Sequence, residues 1–388
     1  MEVGFLGTGR MGKVMAANLL KAGHRVRAWD KSPEPLHELN RAGADIATTA
    51  ADAFRGDAVI SMLPNDQALR EVFIEGDLLK HGRASTVSVN MGTVSLDCVD
   101  ALVAAHDARN IPYVAATVFG RPDVAAAAKL SIMAAGDSAA IDRVQPLFDA
   151  MGQKTYRVGS EPRHANIAKI AGNLMVACAI EATAEAAALL RKYRMSAPDV
   201  LDVIITSLFN VPVYQGYGRA IGHRQYMPPG FDLVLGMKDV GLALKAGEQA
   251  NVPLPFASVL RDAFLDAIAN GDADKDWSAI ARVAARKAGL EDRIRTQGVR
   301  RLPGSKTDGF QDHVSTLVHT GRSGATDGHH VRCERGNSSR ADQDRVFHAP
   351  DRRSRLKRQG NTRRVSDVGR GHQRQGRPSR PAGEAHLL

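Results

Sequence analysis

The chain has 388 residues, 44% hydrophobic and 24% charged, with a formal net charge of +10, a length that allows two or three domains with cores of their own. The charge is not spread evenly: residues 291–388 hold 21 Lys+Arg against 11 Asp+Glu, which leaves 31 of each sign in residues 1–290, so the neutral body has no field to attract nucleic acid. Cys98, Cys178 and Cys333 lie far apart and outside any metal-ligand spacing, which argues against a disulfide framework or a zinc site and for reduced thiols. No apolar run approaches the ~18 residues of a membrane span, and MEVGFLGTG carries no basic region ahead of a hydrophobic stretch. A soluble, cytoplasmic protein is expected.

The opening residues Val3, Phe5 and Leu6 read as a strand, followed by Gly7, Gly9 and Gly12 and then by a helical pattern through Met15, Leu19 and Leu20 that stops at Gly23. A second strand is expected over 25–29. Apolar runs recur at 58–63, 86–89, 113–118 and 130–134, separated by helical periodicity over 66–73 and 95–108. Strands alternating with helices predict an α/β fold, a doubly wound and mostly parallel sheet covered on both faces, over residues 1–160.

After about Gly159 the strand signal ends, and residues 161–290 are expected to form an all-helical substrate and dimerisation domain. A long helix is predicted over 166–190, linking the two domains, with further helices over 199–208, 231–249, 257–269 and 278–288. Asp276 before Trp277 and Ser278 reads as a helix start and Gly289 as a helix end. Tyr214, Tyr217 and His223 fall in a segment expected to connect helices, where they line the cleft or serve as core or dimer contacts.

Residues 291–388 have 19 arginines against two lysines, seven of the 13 histidines, no Trp or Tyr and no sustained apolar periodicity. Such a composition buries too little apolar area to offset its ordering entropy, so disorder is expected. Two readings compete: an out-of-frame or read-through extension of a GC-rich coding sequence, and an arginine-rich nucleic-acid-binding tail carried by the run 352–358.

Gly7, Gly9 and Gly12 form G-x-G-x-x-G after a strand and at the mouth of a helix. The first glycine permits the tight turn, the second a close approach of backbone to a pyrophosphate, and the third close packing of helix on strand. With a second strand ending at an acidic residue, the context is that of a dinucleotide site. The turn as a whole, Thr8, Arg10 and Met11 included, is assigned to the coenzyme. Asp30, Lys31 and Ser32 fall where the adenosine ribose would lie. A carboxylate there favours the hydroxyls of NAD, whereas Lys31 and Ser32 suit the 2′-phosphate of NADP, so both coenzymes stay open.

GFLGTGRMGKVMAANLLKAGHRV, SMLPND, KLSIMAAGD and GMKDVGLAL resemble the β-hydroxyacid dehydrogenase family, which includes 3-hydroxyisobutyrate dehydrogenase and, more distantly, 6-phosphogluconate dehydrogenase and the imine reductases. The resemblance covers about residues 1–290. It implies coenzyme contacts at Leu63 and Pro64 of SMLPND, at Thr93 of NMGTVS and at Lys238 of GMKDVGLAL, where Asp239 stands beside it. The family's catalytic lysine and its asparagine partner match Lys169 and Asn173. The residues themselves agree: Asn166, Lys169 and Asn173 are spaced to share one face of a helix, where a lysine among Ile167, Ile170 and Leu174 either is buried, which would lower its pKa, or snorkels to solvent at the helix edge. The implied mechanism is hydride transfer between nicotinamide and a carbinol or carbonyl carbon, with Lys169 as general acid or base and Asn173 holding the substrate oxygen.

The chain departs from the family in the substrate loop. The expected D-A-P-V-S-G-G, whose amides and serine bind a carboxylate, is here Ala115 to Arg121, with Phe119 for the serine, Gly120 retained and Arg121 for a glycine. An aromatic ring narrows the cleft, while Arg121 can pair with an anion. The reading is an NAD(P)-dependent enzyme acting on a small 3-hydroxy acid or its carbonyl form. The alternatives are an imine or neutral-carbonyl reductase and, beyond enzymes, a coenzyme sensor or nucleic-acid-binding protein. A homodimer is expected from the family and from the Ala-rich long helix.

Overall fold

The computed structural model describes residues 1–290. The expectations for 291–388, together with Cys333, lie outside the described residues.

Eight strands form one sheet: β1 (Glu2–Leu6), β2 (Arg25–Trp29), β3 (Asp45–Ile46), β4 (Ala58–Ser61), β5 (Val87–Asn90), β6 (Tyr113–Phe119), β7 (Leu130–Gly136) and β8 (Gly152–Gly159). Their order is β3-β2-β1-β4-β5-β6-β7-β8. All neighbours run parallel except β6 and β7, which pair antiparallel from Val114↔Gly136 to Phe119↔Ser131. The sheet is therefore doubly wound, and the chain reverses its winding between β1 and β4, the position at which such sheets open a ligand crevice beyond their carboxyl ends.

Successive side chains on a strand point to opposite faces, and here both faces are covered. Phe5, Ile60, Val89 and Val114 join Met15, Leu19 and Phe148 in one core, while their neighbours Leu6, Val59 and Tyr113 join Phe54 and Leu102 in the other. Helices α1 (Arg10–Lys21), α2 (Glu34–Arg41), α3 (Ala50–Ala53), α4 (Asp66–Leu69), α5 (Leu96–Asp107), α6 (Pro122–Ala126) and α7 (Ser138–Met151) supply the cover. The periodic stretch expected to be helical over 66–73 is α4 running into a π-helical turn, Arg70–Glu75. Two strands escape the apolar pattern. β3 is only two residues long, and β8, GQKTYRVG, is an edge strand with mostly polar side chains.

Beyond β8 the described chain is helical: α8 (Arg163–Lys192), α9 (Ala197–Ser207), α10 (Pro212–His223), α11 (Leu233–Ala250), α12 (Pro255–Ala269) and α13 (Ala281–Lys287). The helix expected over 278–288 starts as a 3-10 turn, Trp277–Ile280, capped by Asp276, whose carboxylate accepts from the Ser278 amide at 3.0 Å. α10 corrects the expectation of a connecting segment. Its Pro and three glycines look like turn residues, but Pro212 occupies the first helical position, where its missing N–H is no loss, and Gly218 lies against Ile205 of α9 with no room for a β-carbon.

α8 is the axis of this half. It is long and apolar enough to cross a membrane by length and composition, with a mean hydropathy of 1.4, a property the search for an unbroken apolar run does not detect. In the fold its Ala177, Ile180, Ala184 and Ala187 are buried against Leu201, Ile221, Leu260, Phe264 and Trp277. Ile170 of α8, Leu96 of α5 and Ala243 of α11 form a small apolar cluster joining the two halves.

Candidate active site

Four strands deliver the predicted residues to one edge of the sheet. Gly7 follows β1, Asp30 follows β2, Leu63 and Pro64 follow β4, and Thr93 follows β5, so residues far apart in sequence meet at the carboxyl ends of parallel strands. Gly7 has φ +89°, and a β-carbon on it would lie 2.6 Å from the Met62 carbonyl oxygen, so the turn after β1 admits no side chain. A β-carbon on Gly12 would lie 1.9 Å from the Gly7 oxygen, whereas one on Gly9 would meet nothing within 4 Å. Gly9 thus opens onto free space at the amino end of α1, which has no side-chain cap and no acidic residue in its first turn. Unclaimed amides and the positive end of the helix dipole fit a pyrophosphate there.

Asp30 is engaged within the protein itself. One carboxylate oxygen accepts from the Thr8 amide at 2.6 Å and the Thr8 hydroxyl at 3.2 Å, and the other accepts from the Ser32 amide at 2.9 Å. It therefore pins the glycine turn to the end of β2. Lys31 is largely exposed, 3.9 Å from Glu71. Arg10 reaches across to the helical half, donating to the Pro229 carbonyl at 3.0 Å and pairing with Asp232 at 2.5 Å. Met11 packs against the first core.

From the helical half, Lys238 of α11 donates to the Thr93 carbonyl at 2.7 Å and to the Pro64 carbonyl at 3.2 Å, and pairs with Asp239 at 3.2 Å. One ammonium thus ties the ends of β4 and β5 to α11. Asp239, 3% exposed, also accepts from the Asn173 side-chain amide at 2.5 Å. Asn166 is buried at the start of α8, where its Oδ1 accepts from the Val94 amide at 3.2 Å. The predicted helical face is real, and its three polar residues have separate tasks: Asn166 holds the loop after β5, Asn173 holds Asp239, and Lys169 lies between them.

Lys169 keeps part of its surface open to the cleft, yet protein atoms crowd its ammonium. This desolvation lowers its pKa to about 8, with Asp239 opposing the shift and Lys238 adding to it. The Phe119 ring lies over the ammonium, with its centroid 4.2 Å from Nζ. Phe119 in turn occupies space that only a glycine at 172 leaves open, since a β-carbon there would come 2.2 Å from Phe119 Cζ. Gly120 has φ +142° and is crowded by Leu130 and Val124. Arg121 lies 5.8 Å from the centroid of the Tyr217 ring and 3.8 Å from Asp123. Lys169 and Asn173 share α8, and Phe119 lies over Lys169, as their singling out in the sequence requires. Sequence reasoning missed Asp239 as the partner of Asn173 and Gly172 as the seat of Phe119, because neither relation is local in the chain.

A glycine turn open to a pyrophosphate at the switch point, in the same chain as a lysine whose pKa is lowered by burial, marks the protein as an NAD(P)-dependent oxidoreductase. Comparison with known proteins narrows the class. Residues 2–159 match the family model described as the NAD binding domain of 6-phosphogluconate dehydrogenase, and residues 164–284 match that described as the NAD-binding domain of NADP-dependent 3-hydroxyisobutyrate dehydrogenase. An uncharacterized oxidoreductase of Bacillus subtilis, YfjR, is 34% identical over 284 residues, which cover 73% of this chain and 99% of the relative. The NAD-dependent L-serine dehydrogenase of Pseudomonas aeruginosa is 30% identical over 290 residues, 73% of this chain and 97% of that one. The structure of Mycobacterium tuberculosis 3-hydroxyisobutyrate dehydrogenase with L-serine superposes with a TM-score of 0.66 at 29% identity, covering 73% of this chain and 98% of its own. The chain belongs to the β-hydroxyacid dehydrogenase family.

Proposed function

We propose that the enzyme interconverts a small hydroxy acid of the 3-hydroxy acid kind and its carbonyl form, with Lys169 as the general acid and base. The observation that carries this reading is the placement of Lys169 beside the Lys238–Asp239 pair and under the Phe119 ring, where burial lowers its pKa. A bound nicotinamide supplies or accepts the hydride. Gly7, Thr8, Gly9, Arg10, Met11 and Gly12 would hold the pyrophosphate end, Asp30, Lys31 and Ser32 the adenosine ribose, and Leu63, Pro64, Thr93 and Lys238 the remainder. Lys169 protonates the oxygen of the substrate in reduction and takes the proton from its hydroxyl in oxidation. Asn173, oriented by Asp239, holds that oxygen. Phe119, Gly120 and Arg121 line the substrate side. Named activities of relatives on hydroxy acids and their carbonyl forms, including 2-(hydroxymethyl)glutarate dehydrogenase and 3-sulfolactaldehyde reductase, support the substrate class.

The test follows nicotinamide absorbance with both coenzymes while 3-hydroxy acids, aldehydes, ketones and imines are offered in turn. Turnover of acids or their semialdehydes, lost in Lys169→Met while coenzyme still binds, is the expected result. Turnover of imines alone, or turnover indifferent to Lys169, would sink the assignment. We further place residues 1–160 as the coenzyme domain and 161–290 as the substrate and dimerisation domain of a cytoplasmic homodimer. The reduced thiols of Cys98 and Cys178 and the exposed apolar residues Met175 and Leu189 of α8, Val203 of α9 and Phe256 and Val259 of α12 support that placement.

A further inference from the structure

The position that flanks Lys169 on the β6 side is hydrocarbon. The Phe119 ring stands 4.2 Å from Lys169 Nζ and is seated on Gly172, one residue before Asn173. A β-carbon at 172 would strike the ring, and the backbone after it turns at Gly120, which Leu130 and Val124 crowd. The ring is thus wedged between the Lys169 ammonium and the α8 backbone at Gly172. A carboxylate placed against it would lose water and find no donor on residue 119 in return.

The nearest cation along the loop is Arg121. Its side chain is 45% exposed, and it faces Asp123 at 3.8 Å, longer than a charge-assisted hydrogen bond. Tyr217 of α10 offers its ring at 5.8 Å, and Gly230 leaves room for the guanidinium, since a β-carbon there would come within 3.0 Å of Arg121 Cδ. Both contacts orient the planar fork and leave it able to receive a carboxylate in two-point fashion.

Resting on the reading of Lys169 as acid and base, we propose that Arg121 anchors the anionic end of the substrate while Phe119 carries a hydrocarbon spacer between that end and the reacting carbon. The substrates are hydroxy acids and oxo acids with the reacting group at the far end of a short chain. Discrimination comes from the apolar wall and the displaced anchor together.

The test is a series of terminal hydroxy acids or semialdehydes with one to four spacer carbons, each with its uncharged counterpart, assayed on the wild type, Phe119→Ser and Arg121→Met. In the wild type kcat/KM should rise by about tenfold or more from one spacer carbon to two or three. In Arg121→Met the loss for acids should exceed the loss for uncharged analogues by about tenfold or more, the worth of one well-made ionic contact. Phe119→Ser should move the optimum to the shortest acid. Turnover with no length preference and with equal losses for charged and uncharged substrates in Arg121→Met overturns the proposal and leaves the hydride-transfer reading standing. No turnover of any member by wild-type protein that still binds coenzyme overturns both.

Discussion

Asn173 donates its side-chain amide to Asp239 at 2.5 Å, joining α8 to α11 one turn beyond Lys169. Asp239 also pairs with Lys238 and raises the pKa of Lys169 against the desolvation that lowers it. One buried carboxylate therefore acts on Asn173 of α8, on Lys238 of α11 and on the Lys169 ammonium together. Asp239→Asn should keep the hydrogen-bonding shape but lower the Lys169 pKa further, moving the ionisation seen in kcat/KM below about 8. An unmoved ionisation in the variant would show that Asp239 does not act on Lys169.

The direction of the reaction decides how pH acts. As the acid in reduction, Lys169 must be protonated, so the rate should fall as pH rises through about 8. As the base in oxidation it must be neutral, so that rate should rise through the same value. Rate profiles measured in both directions check this, and two limbs of the same slope would refute it.

The same lysine should weaken the fold. Its folded pKa of about 8 lies below the ordinary 10.5, so between these values the unfolded chain binds more protons and stability rises with pH. Below pH 8 the full penalty is present. Lys169→Met should therefore raise Tm at pH 7, and the gain should shrink as pH climbs from 8 toward 10.5.

Glu181 of α8 shows the opposite sign. Burial and the neighbouring Glu185 raise its pKa from 4.5 to about 7, with Lys287 opposing. An acid whose pKa is raised by folding contributes most below pH 4.5, and that contribution is lost as pH rises to 7. Glu181→Gln should melt higher than the wild type at pH 8 and no higher at pH 4. Equal Tm differences at both values would exclude the effect.

Asp30→Ala frees the Thr8 amide and hydroxyl and the Ser32 amide. The glycine turn should loosen, weakening coenzyme binding by about tenfold or more, since hydrogen bonds to a charged group are worth roughly 1.5–3 kcal/mol. Titration calorimetry with each coenzyme measures it, and unchanged affinity for both would show that the turn holds without Asp30.

The coenzyme half was legible because its rules are local. Gly12 is demanded by a backbone clash with Gly7 five residues before it and Gly7 by its own positive φ, and strands buried on both faces write themselves as continuous apolar runs. Lys169 and Asn173 were legible because one helix face carries both. What escaped is what depends on pairing across the fold. β8 has too few apolar residues to announce a strand and exists because β7 offers it an edge. α10 contains PVYQGYGRAIGH, a run with the turn residues of a loop, and is helical because α9 and the core around Trp277 take up its apolar face. The burial of Asp239 follows only once α11 is laid against α8.

The Arg10 bridge to Pro229 and Asp232 closes over the amino end of α1 from the opposite half of the molecule. Both charged side chains keep contact with solvent, at 47% and 32% exposure, so dissolved ions weaken the bridge. A dinucleotide whose phosphates drew on Arg10 would have to break this bridge, so the variation of its affinity with ionic strength is expected to carry the bridge's share as well as that of its own charge.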